Sequence, residues 1–102
     1  MCNPKSAREQ RSIALFPLGQ IVATPGALAL LDQYAINAME LIKRHQSGDW
    51  GNVPPCDAEE NLRSVENGWR ILSSYALSDD QNLWIITEAD RSVTTLLLPE
   101  EY

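Results

Sequence analysis

Cysteine is scarce in this chain, and its scarcity removes two classes of protein at once. Cys2 and Cys56 are the only two. Neither belongs to a Cys-x-x-Cys pair or a His/Cys cluster, so no disulfide framework and no structural zinc site follow. Both read as free thiols, and no cofactor or metal is expected. Long apolar runs are also missing. Gly26 to Leu31 and Thr95 to Leu98 fall far short of the ~20 residues a membrane span needs. The stretch before Ile13 is polar, and Ile13-Ala14-Leu15-Phe16 is too short for the apolar region of a secretory leader. These absences lead to the expectation of a cytoplasmic protein that does not enter a membrane. Basic charge is lacking where a nucleic-acid binder would need it. Residues 1 to 12 carry Lys5, Arg8 and Arg11 against Glu9, a net +2. Residues 13 to 102 carry five basic and thirteen acidic side chains, a net −8. So acidic a body has no footprint for gripping a phosphate backbone, and no direct nucleic-acid binding is expected.

What is present suffices for a core. The chain has 102 residues, 44% of them hydrophobic, with three tryptophans, and such a composition belongs to one folded domain rather than to a disordered chain. Residues 1 to 12 have almost no large apolar side chains and read as a flexible polar tail, leaving 13 to 102 as a single domain. Gln20 to Ala23 looks like a short strand. Thr24-Pro25-Gly26 reads as a helix start, with Thr24 as N-cap and Pro25 at the first helical position, and Leu28, Leu31 and Ala35 as its buried stripe. That helix should break near Ala35. Asn37 then caps a second, Glu40 stands where a capping box needs it, and Ile36 can staple onto Leu41. Ala38, Leu41, Ile42 and His45 fall on one face of it. Asp57-Ala58-Glu59-Glu60 reads as a capping box opening a third helix, with Ala58, Leu62 and Val65 as its apolar face and Asn67-Gly68 as its end.

After Gly68 the period changes from about 3.6 to 2. Trp69, Ile71, Ser73, Tyr75 and Leu77 alternate with Arg70, Leu72, Ser74 and Ala76. A polar turn, Ser78 to Asn82, leads to a strand over Leu83 to Glu88, and Ala89 to Ser92 leads to another over Val93 to Leu98, which Pro99 ends. Short loops between strands mean hairpins. The expected architecture is therefore α+β: two to three helices packed on a small antiparallel sheet that ends in a three-stranded meander. Both faces of the Leu83 to Glu88 strand carry large apolar residues, which points to cover by a partner subunit or an N-terminal strand, and so to a homodimer.

Three stretches, Phe16-Pro17-Leu18-Gly19-Gln20-Ile21-Val22-Ala23-Thr24-Pro25-Gly26-Ala27-Leu28, Arg44 to Gly51, and Trp84 to Tyr102, together resemble a family of small uncharacterised bacterial proteins often borne on plasmids and other mobile elements. The resemblance covers roughly residues 16 to 102. Some members are labelled as the modification subunit of a type I restriction system. A DNA amino-methyltransferase needs an Asn/Asp-Pro-Pro-aromatic motif and a glycine-rich cofactor loop. Asn52-Val53-Pro54-Pro55-Cys56 inserts a valine and lacks the aromatic, the glycine-rich loop is absent, and the chain is too short for that domain.

Candidate site residues gather in two places. In Lys43 to Gly51 the only histidine, His45, ends a helix, and Gly48 and Gly51 bracket Asp49 and Trp50. Glycine after a helix supplies a left-handed turn, so Asp49 and Trp50 should be held in fixed positions, Trp50 as a plug over the core or as a contact for a ligand or partner. His45 with Cys56 and an aspartate could be written as a thiol-histidine pair, and His45, Asp49 and Asp57 as metal ligands. The plainer reading is a capping histidine favoured by the helix dipole. The second place is the hairpin with Glu88, Asp90 and Arg91, near Thr87 and Thr94. It could serve acid–base chemistry or hold only turn contacts and a surface ion pair. The reading favoured by composition is a non-catalytic interaction domain with a protein partner. One alternative is an acidic DNA mimic that blocks a restriction or defence enzyme. Another is a small enzyme using His45–Gly51 and Glu88–Arg91.

Overall fold

The computed structural model describes residues 14–102; the polar tail expected over residues 1 to 12 lies outside them. The order is β1 (Gln20–Ala23), α1 (Pro25–Gln33), α2 (Ala38–Gln46), α3 (Pro55–Asn67), β2 (Ile71–Ser78), β3 (Gln81–Thr87), β4 (Val93–Leu97) and a closing 3-10 turn (Pro99–Glu101). The class is α+β, and β2, β3 and β4 form the expected meander. The sheet differs from expectation in one respect. Its order is β1-β4-β3-β2, and β1 runs parallel to β4, with Gln20 opposite Val93, so the sheet is mixed. No hairpin joins this pair, so no turn dictates antiparallel direction.

Capping sets the helix boundaries. The Thr24 hydroxyl accepts from Ala27 N–H at 3.0 Å and the Asn37 side chain from Met39 N–H at 2.9 Å. Ala35 takes a left-handed φ of 54° between the two helices. The buried face of α1 is Ala27, Leu30 and Leu31, while Leu28 is 55% exposed. Ala27 to Leu31 is apolar throughout, so periodicity permits two phases, and packing selects the one one residue earlier. The start of α3 also differs. It begins at Pro55 behind Pro54, without a side-chain cap, because proline at the first helical position needs no N–H partner. Asp57 instead sits in the first turn, where the helix dipole favours an acid.

The end of α2 is a Schellman motif. Gly48 N–H donates to His45 C=O at 3.3 Å and Asp49 N–H to Arg44 C=O at 2.8 Å, with Gly48 at φ 96°. Gly48→Ala is expected to cost roughly 1 kcal/mol, read as a small fall in melting temperature.

The core lies between the helices and one face of the sheet. Leu31, Leu41 and Ile42 pack on Tyr75, Leu83, Ile85 and Leu96, while Phe16, Trp50 and Ile71 form an adjoining cluster with Ala58 and Val65. The face of α3 that is fully buried is polar: Asn61 and Ser64. Leu62, expected inside, is exposed. Asn61 is drawn in by the free edge of β2. Its amide donates to Leu72 C=O at 2.7 Å and accepts from Leu72 N–H at 3.2 Å, as a neighbouring strand would. Two residues on, Ser74 N–H donates to Trp50 C=O and Ser74 C=O accepts from Asn52 N–H, with Gly51 bridging in parallel. The β2 edge is thus covered over Leu72 and Ser74.

The buried histidine and the cleft beside it

His45 is fully buried. It projects from the inner face of α2 onto the sheet, where both ring nitrogens find hydroxyls: Nδ1 lies 2.6 Å from Ser73 Oγ and Nε2 2.9 Å from Thr87 Oγ1. Thr87 Oγ1 is 2.8 Å from Thr94 Oγ1, and Thr94 donates to Leu18 C=O at 2.7 Å. The terminal carbonyl can only accept, and this sets the direction of the chain as far as the ring. Thr94 donates to Leu18, Thr87 donates to Thr94, and His45 Nε2–H donates to Thr87. Burial, aided by the positive Arg91, pushes the imidazole pKa down to about 3, so the ring is neutral at pH 7 and Nδ1 accepts from Ser73. The expected cationic helix cap is corrected accordingly: three elements enclose the ring, and a charged imidazole there would be desolvated. Phe16 meets it edge-on at 5.2 Å and Trp50 at 6.0 Å.

With both nitrogens engaged, His45 cannot serve as base to Cys56, which is exposed at the start of α3, nor as a metal ligand with Asp49 and Asp57. Trp50 has the burial of a plug, at 6% exposure.

The second candidate cluster separates into turn chemistry and a strut. Asp90 accepts from Ser92 N–H and hydroxyl, and these bonds hold its carboxyl below the usual range. Thr87 and Thr94 point inward to His45. Arg91, at a left-handed φ of 61°, makes no ion pair with Glu88; the ion pairs among the described residues are Arg44–Asp49 and Arg63–Glu60. Its guanidinium donates to four carbonyls: Trp69 at 2.7 Å, Ser64 at 2.8 Å, Glu88 at 3.1 Å and Ala89 at 3.3 Å. Two of these acceptors, Ser64 and Trp69, belong to the C-terminal end of α3 and the residues just after it, where a cation is favoured. An exposed ion pair would have made Arg91→Ala nearly neutral. The strut predicts instead a loss of roughly 2 kcal/mol, in the range for hydrogen bonds to a charged group, measurable by urea denaturation.

One open feature is a cleft of about 360 Å³ between α2 and the far half of β2, with Glu40, Arg44, Asn52, Tyr75 and Leu77 in its lining. Arg44 stands 4.7 Å over the Tyr75 ring and donates to Asp49 at 2.7 Å. Tyr75 donates to Asp49 C=O at 2.6 Å; burial pushes its phenol pKa up. The bond to Asp49 raises the pKa of Arg44 further. The lining therefore offers a cation held by Asp49, the Glu40 carboxylate, an amide and an aromatic ring. Sequence reasoning missed Ser73, Tyr75 and Asn61. The signal for Ser73 was a hydroxyl at an inward position of an otherwise apolar strand face.

Comparison with known proteins returned no matching family model, and no curated protein or solved structure matches the chain.

Proposed function

We propose that this is a non-catalytic interaction protein whose partner engages the cleft between α2 and β2. The observation that supports this reading is the state of the chain's reactive groups. His45, Tyr75 and Arg91 are all committed to hydrogen bonds inside the fold, whereas Glu40, Arg44 and Asn52 stand exposed around an apolar floor, Arg44 paired with Asp49 and Asn52 with Asn82. A cleft with a few convergent polar groups over apolar surface suits recognition. A cytoplasmic location and kinship with the mobile-element family belong to the same reading. Affinity capture with the full chain, followed by mass spectrometry, tests it. A partner retained by wild type and lost with Leu77→Glu, which melts lower because Leu77 packs on the core but still unfolds cooperatively, is the expected result. Retention by the variant would move the interaction elsewhere. The DNA-mimic alternative draws on the exposed Asp57, Glu59, Glu60 and Glu66 of α3. It predicts capture of a DNA-binding enzyme, in a salt-sensitive manner and independent of Leu77.

A further inference from the structure

The two edges of the sheet are treated differently, and the difference points to a second copy of this chain. On β2, the Asn61 amide and the Gly51 loop occupy the outward groups of Leu72 and Ser74. The opposite edge, β1, has no such cover among the described residues. Gln20 N–H donates to Ser92 C=O and Thr24 N–H to Leu96 C=O. By alternation along the strand, Gln20, Val22 and Thr24 face β4, and the N–H and C=O groups of Ile21 and Ala23 face outward. β1 is short, at four residues, but it carries no lysine, proline or bulge, the other devices with which proteins blunt a bare edge. The whole segment from Leu15 to Leu31 holds no charged side chain. It nevertheless contributes four of the eight exposed large hydrophobic residues: Leu15, Ile21 at 41%, Val22 at 38% and Leu28.

We infer that β1 pairs antiparallel with β1 of a second copy about a two-fold axis at Val22, joining two four-stranded sheets into one. The geometry sets the register. Placing Ile21 opposite Ala23 of the other copy uses all four outward groups, in two hydrogen-bonded pairs. Centring on Ile21 would set Ala23 against Gly19, and centring on Ala23 would set Ile21 against Pro25, which has no N–H. Charge permits the contact: each copy carries −6 overall, but repulsion is least where the charge-free segments meet. Such an interface is isologous, as a two-fold dimer requires. It is separate from the cleft, which lies at the other end of the strand order.

In this register Val22 faces its own counterpart in a non-hydrogen-bonded pair, with Cα atoms ~4.5 Å apart, close enough for a disulfide. The test uses the full chain with Cys2→Ser and Cys56→Ser. Val22→Cys should then form a covalent dimer under mild oxidation, and Gln20→Cys should not. In sedimentation the wild type should be a concentration-dependent dimer. Val22→Lys should be monomeric and unfold cooperatively, with a melting temperature that no longer depends on concentration. Ile21→Pro removes an N–H that β4 does not use, and should weaken the dimer at least tenfold. A wild type that stays monomeric at high micromolar concentration would overturn the proposal. So would equal crosslinking at positions 20 and 22, or a dimer indifferent to Val22→Lys.

Discussion

Stability is expected to fall steeply as pH drops from 6.5 to 5, and His45→Gln should flatten that fall. Unfolded, the histidine takes a proton near its ordinary pKa of 6.5; folded, only near about 3. Between those values the unfolded chain binds a proton that the folded chain refuses, so acid favours unfolding. The contribution is complete above about 6.5 and is lost progressively toward pH 3, on the order of 5 kcal/mol over the whole span. The carboxyls of Asp90 and Glu101 are held low by their hydrogen bonds and add losses of the same sign further into acid. The window from 6.5 to 5 therefore belongs to His45. Denaturant midpoints measured across it should show up to one proton taken up on unfolding in wild type. A flat wild-type profile would mean that the ring reaches water.

Truncating Trp50 carries the other large effect. The indole lies between Phe16, stacked at 6.4 Å, and His45, against Ile71. Trp50→Ala should cost about 3–5 kcal/mol, as loss of a buried aromatic does, and lower the melting temperature by roughly 15 °C or more. Its neighbour Gly51 should be as intolerant for another reason. At φ 77°, an added Cβ would lie 1.9 Å from Ser74 C=O, where the loop lies along β2. Trp69→Ala, at a half-exposed tryptophan, is the control and should cost under ~1 kcal/mol. Trp50→Ala melting within a few degrees of wild type would return this loop to consideration as a contact surface.

Features set by neighbours in sequence were legible without coordinates. Thr24 and Asn37 cap as residues of their type should, Gly48 and Gly68 end their helices, and the meander follows from two short polar connections. The helical face of Leu41, Ile42 and His45 was equally readable, because only one phase buries it. What escaped was whatever depends on residues far apart. That His45 would meet Ser73 and Thr87 cannot be read from a helix pattern, and without hydroxyl partners a terminal histidine reads as a cap. Asn61 and Arg91 look like surface residues by type. Each is drawn inward by backbone groups that only the assembled fold brings near: the free edge of β2 for one, the end of α3 for the other. The parallel pairing of β1 escaped for the same reason.

That pairing also governs the order of assembly. The helices and the meander are built from contacts close in sequence and can form early, but β1 docks only when β4 exists, and a loop spanning most of the chain must then close. On the ribosome the delay has a direction. The Gln20–Ala23 strand emerges first and has no place in the sheet until Val93–Leu97 has been made. Until then an uncharged, β-prone stretch stays open to other nascent chains, so the yield of native protein should depend on expression rate more than its final stability suggests.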